Sequence, residues 1–331
     1  MDLSVIIVNY RGWRKLHECL DALALFKKTR FSSEVIIVDN HSDDGIFDSF
    51  YKEYPGFRFI KNEINGGFAY GCNTGAREAS GKFLLFLNPD TVAGEEAVAT
   101  IFERAVDDPA ACIVSCRQDD ERGRESIAFG QFIRPGKLTG PGRAMNRIFG
   151  SINSRHGTFS VENVLRPDWV SGSVIMINHE NFLRLGGFDE DFWMYFEDMD
   201  LCKRVKDSGG DILYYTDISI QHHHGGSSRI NIHSTALTKT EVLISKHVYT
   251  EKHFTSADRI FSHSFLVINN LVTGLIAALA GLILFFLPGF FVRTHIFIRL
   301  AGYYSGALKR RTWISPRSVN NRKHKEGILK T

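Results

Sequence analysis

Apolar and polar positions alternate along the amino-terminal half in blocks, and the blocks change period. Leu3–Asn9 (LSVIIVN) is a β-branched apolar run stopped by polar residues, and Leu16, Leu20, Leu23 and Leu25 then recur at helical spacing. The alternation repeats. Strands are predicted at Glu34–Asp39, Phe57–Ile60, Lys82–Leu87 and Ile113–Ser115, with helices at Asp44–Glu53, Phe68–Ala79 and Gly94–Ala105. Continuous apolar strands separated by helices predict an α/β fold with a mostly parallel sheet covered on both faces. Two later apolar runs, Val174–Ile177 and Asp217–Ile220, are further strands.

Sheets of this kind bind ligands at the carboxyl ends of their strands. Asn9-Tyr10-Arg11 follows the first strand, Asp39-Asn40-His41-Ser42-Asp43 the second, and Asn88-Pro89-Asp90-Thr91 the fourth. A glycine-rich turn and helix start, Asn62–Gly75 (NEINGGFAYGCNTG), lies between the third and fourth. Any one of these clusters reads as a turn or a helix cap. Four on one sheet edge read as a site. An aromatic or amide beside a carboxylate can hold a base and ribose, and a carboxylate after the fourth strand can hold a divalent cation on a diphosphate. No GxGxxG follows the first strand and no GxxxxGK[ST] occurs, which argues against a dinucleotide-binding dehydrogenase and a P-loop phosphotransferase.

The carboxyl-terminal part changes character. No charge occurs in the 29 residues from 264 to 292, and Leu271–Val292 is almost wholly apolar, enough for a helix to cross a bilayer. Pro288-Gly289 and the polar pair Asn269-Asn270 also permit a hairpin or a helix lying in the membrane surface. Residues 264–331 carry ten Lys and Arg against one acid, so the net charge of +3 divides into +9 here and −6 over the first 263 residues. A basic, apolar segment over 264–311 is suited to anionic head groups, not nucleic acid. Two regions are therefore expected, 1–252 and 253–331. The start of the chain runs directly into a strand, so no secretory leader is expected. Five cysteines without metal-site spacing read as reduced cytoplasmic thiols.

Between these regions lie further candidate groups. Gly186-Gly187-Phe188-Asp189 is a turn, Phe192, Trp193, Tyr195 and Phe196 are an aromatic cluster, and Glu197-Asp198-Met199-Asp200 opens a helix. Acids favour a first helical turn. Here they also project in different directions, so one can reach the sheet edge while another pairs with Arg204 at i+4. Gly172-Ser173 precedes a strand with small side chains, leaving room for a ligand. Gln221-His222-His223-His224-Gly225-Gly226 offers imidazoles to a metal, with His222 and His224 on one face if the strand continues. Arg117–Arg166, rich in Gly, Arg and Pro, reads as a long mobile loop.

In this order VIIVNYR, IIVDNHSDDG, NGGFAYGCNTG, FLNPDT, SGSVIMI, GGFDEDFWMYFEDMDLCKR and HHHGGSS resemble the inverting family 2 glycosyltransferases of the GT-A fold, nearest the bacterial rhamnosyltransferase-like enzymes. The resemblance covers about Leu3–Ser228. It implies that Asp39 contacts the nucleobase of a sugar nucleotide, with Asn9, Tyr10, Asn65, Gly67, Asn73, Asn88 and Asp90 completing the donor site. Asn88-Pro89-Asp90 stands where the family has its DxD metal motif, leaving Asp90 as the charged ligand of Mg²⁺ or Mn²⁺. A His before the glycine-serine run completes that site, with His222 and His224 the better pair and the register open to His223. The ED motif gives the catalytic base to Asp198, with Glu197 as the alternative. Gly172, Ser173, Trp193 and Tyr195 would face the acceptor.

The resemblance implies a sugar transferase at the cytoplasmic face of the bacterial inner membrane. It would move a sugar, rhamnose from dTDP-rhamnose first, onto a lipid-linked saccharide for an O-antigen-like polysaccharide. Galactofuranosyl, glucosyl or N-acetylglucosaminyl transfer from a UDP-sugar stays open. So do a nucleotidyltransferase and a non-catalytic, membrane-tethered binding module. Nothing in the sequence assigns an oligomeric state.

Overall fold

The computed structural model describes residues 1–26, 31–108, 110–138, 163–223, 231–283 and 288–321. They fall into two compact units, one drawn from 1–132, 153–189 and 197–227, the other from 133–152, 190–196 and 228–331.

The first unit holds the strands β1 (Leu3–Asn9), β2 (Ser33–Asp39), β3 (Arg58–Lys61), β4 (Phe83–Leu87), β5 (Thr91–Val92), β6 (Ala111–Asp119), β7 (Glu125–Ser126), β8 (Phe129–Gly130), β9 (Val164–Leu165), β10 (Trp169–Val170), β11 (Val174–Asn178) and β12 (Asp211–His222). One sheet runs in the order β3-β2-β1-β4-β11-β6-β12-β5, with β7 on β6 and β9 on β12, while β8 and β10 pair separately. Helices α1 (Trp13–Ala24), α2 (Phe47–Glu53), α3 (Phe68–Glu78) and α4 (Glu95–Asp107) connect the first strands. In chain order α5 (Pro135–Leu138) belongs to the second unit, and α6 (His179–Arg184) and α7 (Glu197–Asp207) to the first.

Strand β1 explains the layering. Its residues are buried throughout, with Val5 and Ile7 in one core and Ile6 and Val8 in the other. The first core takes Leu16, Leu20 and Leu23 of α1 and Val98 and Ile101 of α4. The second takes Ala69, Cys72 and Ala76 of α3 and Leu201, Cys202 and Val205 of α7. A strand buried on both faces must read as a continuous apolar run, as β1 does.

Strands β1 to β4 are parallel, as the βα alternation predicts. Beyond β4 the sheet turns mixed. β11 runs antiparallel to both β4 and β6, and β12 returns parallel to β6. A fully buried strand carries no polar face that encodes its direction, so the sequence pattern is silent on this reversal. Two expected strands are also longer than their apolar runs. β6 continues through Arg117-Gln118-Asp119, and β12 spans Asp211–His222, because polar residues at a sheet edge can pair as well as apolar ones.

In the second unit α8 (Ile232–His253), α9 (Ser256–Ile283) and α10 (Pro288–Arg310) account for most of the described residues. Gly274 lets α10 approach α9 closely, since a β-carbon there would stand 2.7 Å from the Phe297 ring. The uncharged stretch therefore forms parts of two packed helices, with 284–287 outside the described residues. Among the described residues one segment, Ser256–Gly281, is long and apolar enough to cross a membrane, with mean hydropathy 1.8. Ile268, Val272, Leu275, Ile276, Leu279 and Ile283 form an exposed stripe at helical spacing on α9. Of the expected mobile loop over 117–166, residues 139–162 lie outside the described residues, as do His224 and the basic tail after 321.

Candidate active site

The carboxyl ends of β1, β2 and β4 bring the expected clusters together through their own hydrogen bonds. Asn40 donates its backbone N–H to Asn9 O (2.7 Å), and Asn62 donates to Asp39 O (2.9 Å). Asp39 is fully buried and accepts from the Ser42 hydroxyl and from Ser42 N (3.1 Å). Burial raises its pKa above the usual carboxylate range, while the Ser42 donors pull it back. Asn9 is buried too. Its Oδ1 accepts from Gly12 N (3.1 Å), but its Nδ2 has no hydrogen-bond partner among the described residues. Tyr10 is exposed, with the Arg11 guanidinium 5.4 Å from its ring centre. One wall of this edge thus presents a buried carboxyl, an unspent amide N–H and an exposed aromatic ring.

The glycine-rich segment divides into two kinds of residue. Asn65 and Gly67 face the second-strand cluster, with Asn40 Nδ2 donating to Gly67 O (2.9 Å) and to Asn65 Oδ1 (3.3 Å). Gly67 has φ +93°, which only glycine adopts freely. Gly71 and Gly75 serve packing, since a β-carbon would stand 2.5 Å from Val8 or Ile6 of β1. Asn73 donates to Phe188 O (2.8 Å) and accepts from Phe188 N (2.9 Å), fastening α3 to the Gly186-Gly187 turn.

At the end of β4 the chain forms a turn in which Thr91 N and Oγ1 both bond Asn88 O, and Asn88 N donates to Ser173 O (3.0 Å). Asp90 O accepts from His223 N (2.8 Å), and Thr91 pairs with His222 across β5 and β12. This aligns the carboxylate with one imidazole of the histidine run. His222 Nε2 lies 3.2 Å from Asp90 Oδ1, and its Nδ1 lies 2.8 Å from Gln118 Oε1. His223 turns instead to Glu18 (3.2 Å) and Lys15 (3.1 Å) of α1.

Gln118 is the residue the sequence reading missed. It is buried, and its Oε1 also accepts from Ser173 Oγ (2.7 Å), so Ser173, Gln118 and His222 form one hydrogen-bonded chain that ends beside Asp90. The only signal in the sequence is a neutral amide in a polar strand extension. A tautomer protonated at Nδ1 satisfies this oxygen and turns the Nε2 lone pair toward the Asp90 carboxylate. Two acceptors held face to face need a proton or a cation between them, and a divalent cation fits this donor set. Among the described residues no cluster of three or more His, Cys, Asp or Glu could hold a metal, so diphosphate oxygens or water would complete its shell.

The first turn of α7 supplies the acids. Asp198 Oδ2 accepts from Gly172 N (2.9 Å) and Oδ1 from Met199 N (2.7 Å), which ties it to the Gly172-Ser173 turn. Burial raises its pKa and the N–H donors oppose the rise. Glu197 is buried deeper and pushed well above the carboxylate range by burial and by the Asp198 charge; its Oε2 has no partner among the described residues. Asp200 does what the spacing predicts, bonding Arg204 Nε (2.9 Å) and Nη2 (2.6 Å). Arg204 also donates to Leu185 O (2.7 Å). Trp193 and Tyr195 belong to the second unit, where the Arg317 guanidinium lies 5.3 Å from the Trp193 ring centre.

A mixed, doubly covered sheet with its polar clusters on one edge fits the GT-A architecture. Residues 4–163 match glycosyl transferase family 2, and residues 163–224 match the N-terminal domain of galactosyltransferase. The chain thus carries a glycosyltransferase family 2 domain. The N-acetylglucosaminyl-diphospho-decaprenol L-rhamnosyltransferase of Mycobacterium tuberculosis is 27% identical, covering 68% of this chain and 77% of that protein. Rhamnosyltransferase WbbL of Escherichia coli is 23% identical over 68% of this chain and 88% of its own. Among solved structures, the Pyrobaculum calidifontis mannosyltransferase PcManGT with GDP-Man and Mn²⁺ has TM-score 0.51 at 18% identity, covering 95% of this chain and 83% of that one. GalNAc-T7 with UDP, GalNAc and Mn²⁺ has TM-score 0.53 at 17% identity, covering 80% of this chain and 54% of that one.

Proposed function

We propose that the protein transfers rhamnose from dTDP-rhamnose to a lipid-linked saccharide at the cytoplasmic face of the bacterial inner membrane. Residues 1–252 form the catalytic region and 253–331 the membrane-associating one. The observation that carries the reading is Asp198. It is a carboxylate held by the backbone N–H of Met199 and by that of Gly172, on the turn whose Ser173 leads through Gln118 and His222 to Asp90.

Asp39, with the unspent N–H of Asn9 and the ring of Tyr10, recognises the base. A thymine or uracil imide donates its N–H to a carboxylate and accepts at its carbonyls, which is what this wall offers. Asp90 and His222 would hold a Mg²⁺ or Mn²⁺, which would supply positive charge to offset that of the diphosphate. Asp198 removes the proton of the acceptor hydroxyl as that oxygen bonds to the anomeric carbon. The bond from that carbon to the diphosphate oxygen breaks, the nucleoside diphosphate leaves, and the configuration inverts because no enzyme nucleophile intervenes. Glu197, deeper and with its pKa pushed well above the carboxylate range, stays protonated beside it. The rhamnosyl donor is supported by the names of the two bacterial relatives, and the lipid-diphosphate acceptor by the name of the mycobacterial one. The apolar stripe on α9 supports attachment to a membrane surface.

Incubation with radiolabelled dTDP-rhamnose and N-acetylglucosaminyl-diphospho-prenol tests this, and a labelled lipid-linked disaccharide is the expected product. Transfer from a UDP-sugar but not from dTDP-rhamnose would overturn the donor assignment. No transfer from any nucleotide sugar to a lipid-linked saccharide would overturn the reading.

A further inference from the structure

The second unit contains a cavity that the sugar-transfer reading does not use. It has a volume of about 330 Å³ and is lined by Glu241 of α8, by Arg299, Gly302, Tyr303 and Arg310 of α10, and by Arg317. Arg299, Gly302, Gly306 and Arg310 follow at spacings of three, four and four, so they lie along one stripe of α10. The two glycines hollow that stripe. At Gly306 a β-carbon would stand 2.8 Å from Arg310 Nη1, so the missing side chain makes room for the guanidinium. At Gly302 it would meet nothing within 4 Å, so the space is open.

The charges in the cavity do not balance. Among the described residues, three guanidiniums face a single carboxyl. Glu241 accepts from Ser315 Oγ (2.9 Å) and lies 3.8 Å from Arg317 Nε, and its burial pushes its pKa up to about 7. Arg299 Nη2 lies 2.9 Å from Nε2 of the His233 ring. Arg310 Nε and Nη2 are buried with no hydrogen-bond partner among the described residues. Buried guanidinium N–H groups without a partner are costly unless an anion answers them.

We propose that this cavity binds a phosphate ester or diphosphate group, with Arg310 and Arg299 as its principal donors and Arg317 offsetting Glu241. A carboxylate would leave part of the positive charge unmatched. A phosphate or diphosphate matches two or more charges, presents several acceptor oxygens to guanidinium forks, and leaves space for its substituent. The group comes either from a lipid head group or from a soluble phosphate compound. The site shares no residue with the donor site and does not depend on its assignment.

The test uses the full chain in detergent with EDTA, which removes metal-dependent binding at Asp90, and titrates inorganic pyrophosphate by calorimetry. The cavity variants are Arg310→Gln, and Gly302→Leu, which fills the open space without changing charge; Asp90→Asn is the control. The expected result is binding that Asp90→Asn preserves and that both cavity variants weaken by about tenfold or more, the scale of one lost charge-assisted hydrogen bond. Flotation on phosphatidylcholine vesicles with and without phosphatidylglycerol separates the sources. If the cavity variants also lose the preference for the anionic vesicles the ligand is a lipid head group, and if they keep it the ligand is soluble. Folded variants that bind pyrophosphate like the parent overturn the proposal, as does a parent chain that binds neither pyrophosphate nor anionic vesicles. If Arg310→Gln does not fold, Gly302→Leu decides alone.

Discussion

Replacing Gln118 by Met keeps the side-chain volume and removes the oxygen that joins Ser173 to His222. Ser173 Oγ retains a partner, because Ser171 Oγ lies 2.9 Å away. The His222 Nδ1–H loses its Gln118 acceptor, and losing a buried hydrogen-bond partner costs about 1–3 kcal/mol. The imidazole can avoid this by moving its proton to Nε2, where it donates to Asp90 across the existing 3.2 Å. That tautomer offers no lone pair to a cation. Substitutions of groups that orient a metal ligand weaken metal binding by about 10–100-fold. The expected outcome is therefore a 10–100-fold higher Mn²⁺ concentration for half-maximal transfer, with the unfolding free energy lowered by at most about 3 kcal/mol. Manganese titration of sugar transfer, alongside denaturant unfolding, measures both. Unchanged Mn²⁺ dependence in a folded Gln118→Met variant would refute the claim that Gln118 sets the His222 tautomer for a cation.

Other substitutions probe separate parts of the account. Glu197→Gln is expected to raise the melting temperature near pH 7, by an amount that shrinks toward pH 4. A raised folded-state pKa means the native state keeps a proton that the unfolded state releases, so stability falls as pH rises above the ordinary carboxylate range; a variant no more stable at pH 7 than the parent contradicts the assignment. Gly71→Ala forces a contact 2.5 Å from Val8 Cγ1 and is expected to cost about 1–3 kcal/mol by overpacking, read from urea unfolding, although alanine is the better helix former. The pair Ile276→Asp and Leu279→Asp, at side chains 62% and 54% exposed, is expected to reduce vesicle flotation at least tenfold while leaving the circular dichroism of the chain unchanged.

Much of the first unit was legible because its physics is local. A strand buried on both faces is a continuous apolar run, and β1, β2 and β4 fall within a residue of their expected bounds. The residues after those strands were found for the same reason, since polar side chains ending an apolar run sit at the sheet edge. What stayed hidden depended on contacts distant in sequence. The reversed direction of β11 is fixed by its neighbours β4 and β6, not by its own composition. Gln118 acquires its part only when β12 brings His222 beside it, 104 residues later in the chain. The same pairing separates His222 from His223, which the repeat of three identical side chains does not. Glycines in Asn62–Gly75 look alike in sequence, yet Gly67 supports a left-handed turn while Gly71 and Gly75 admit β1.

The central claim is that Asp198 takes the acceptor proton, and the rate of sugar transfer by Asp198→Asn tests it most directly. Asn preserves the size of the side chain and can still accept from one of the two N–H groups that hold Asp198 Oδ1 and Oδ2, but it cannot take a proton. The account predicts a fall in kcat of about 10²–10⁴-fold with nucleotide-sugar binding retained, the range for loss of a general base. An Asp198→Asn enzyme that binds donor and transfers within a few-fold of the parent rate would contradict it.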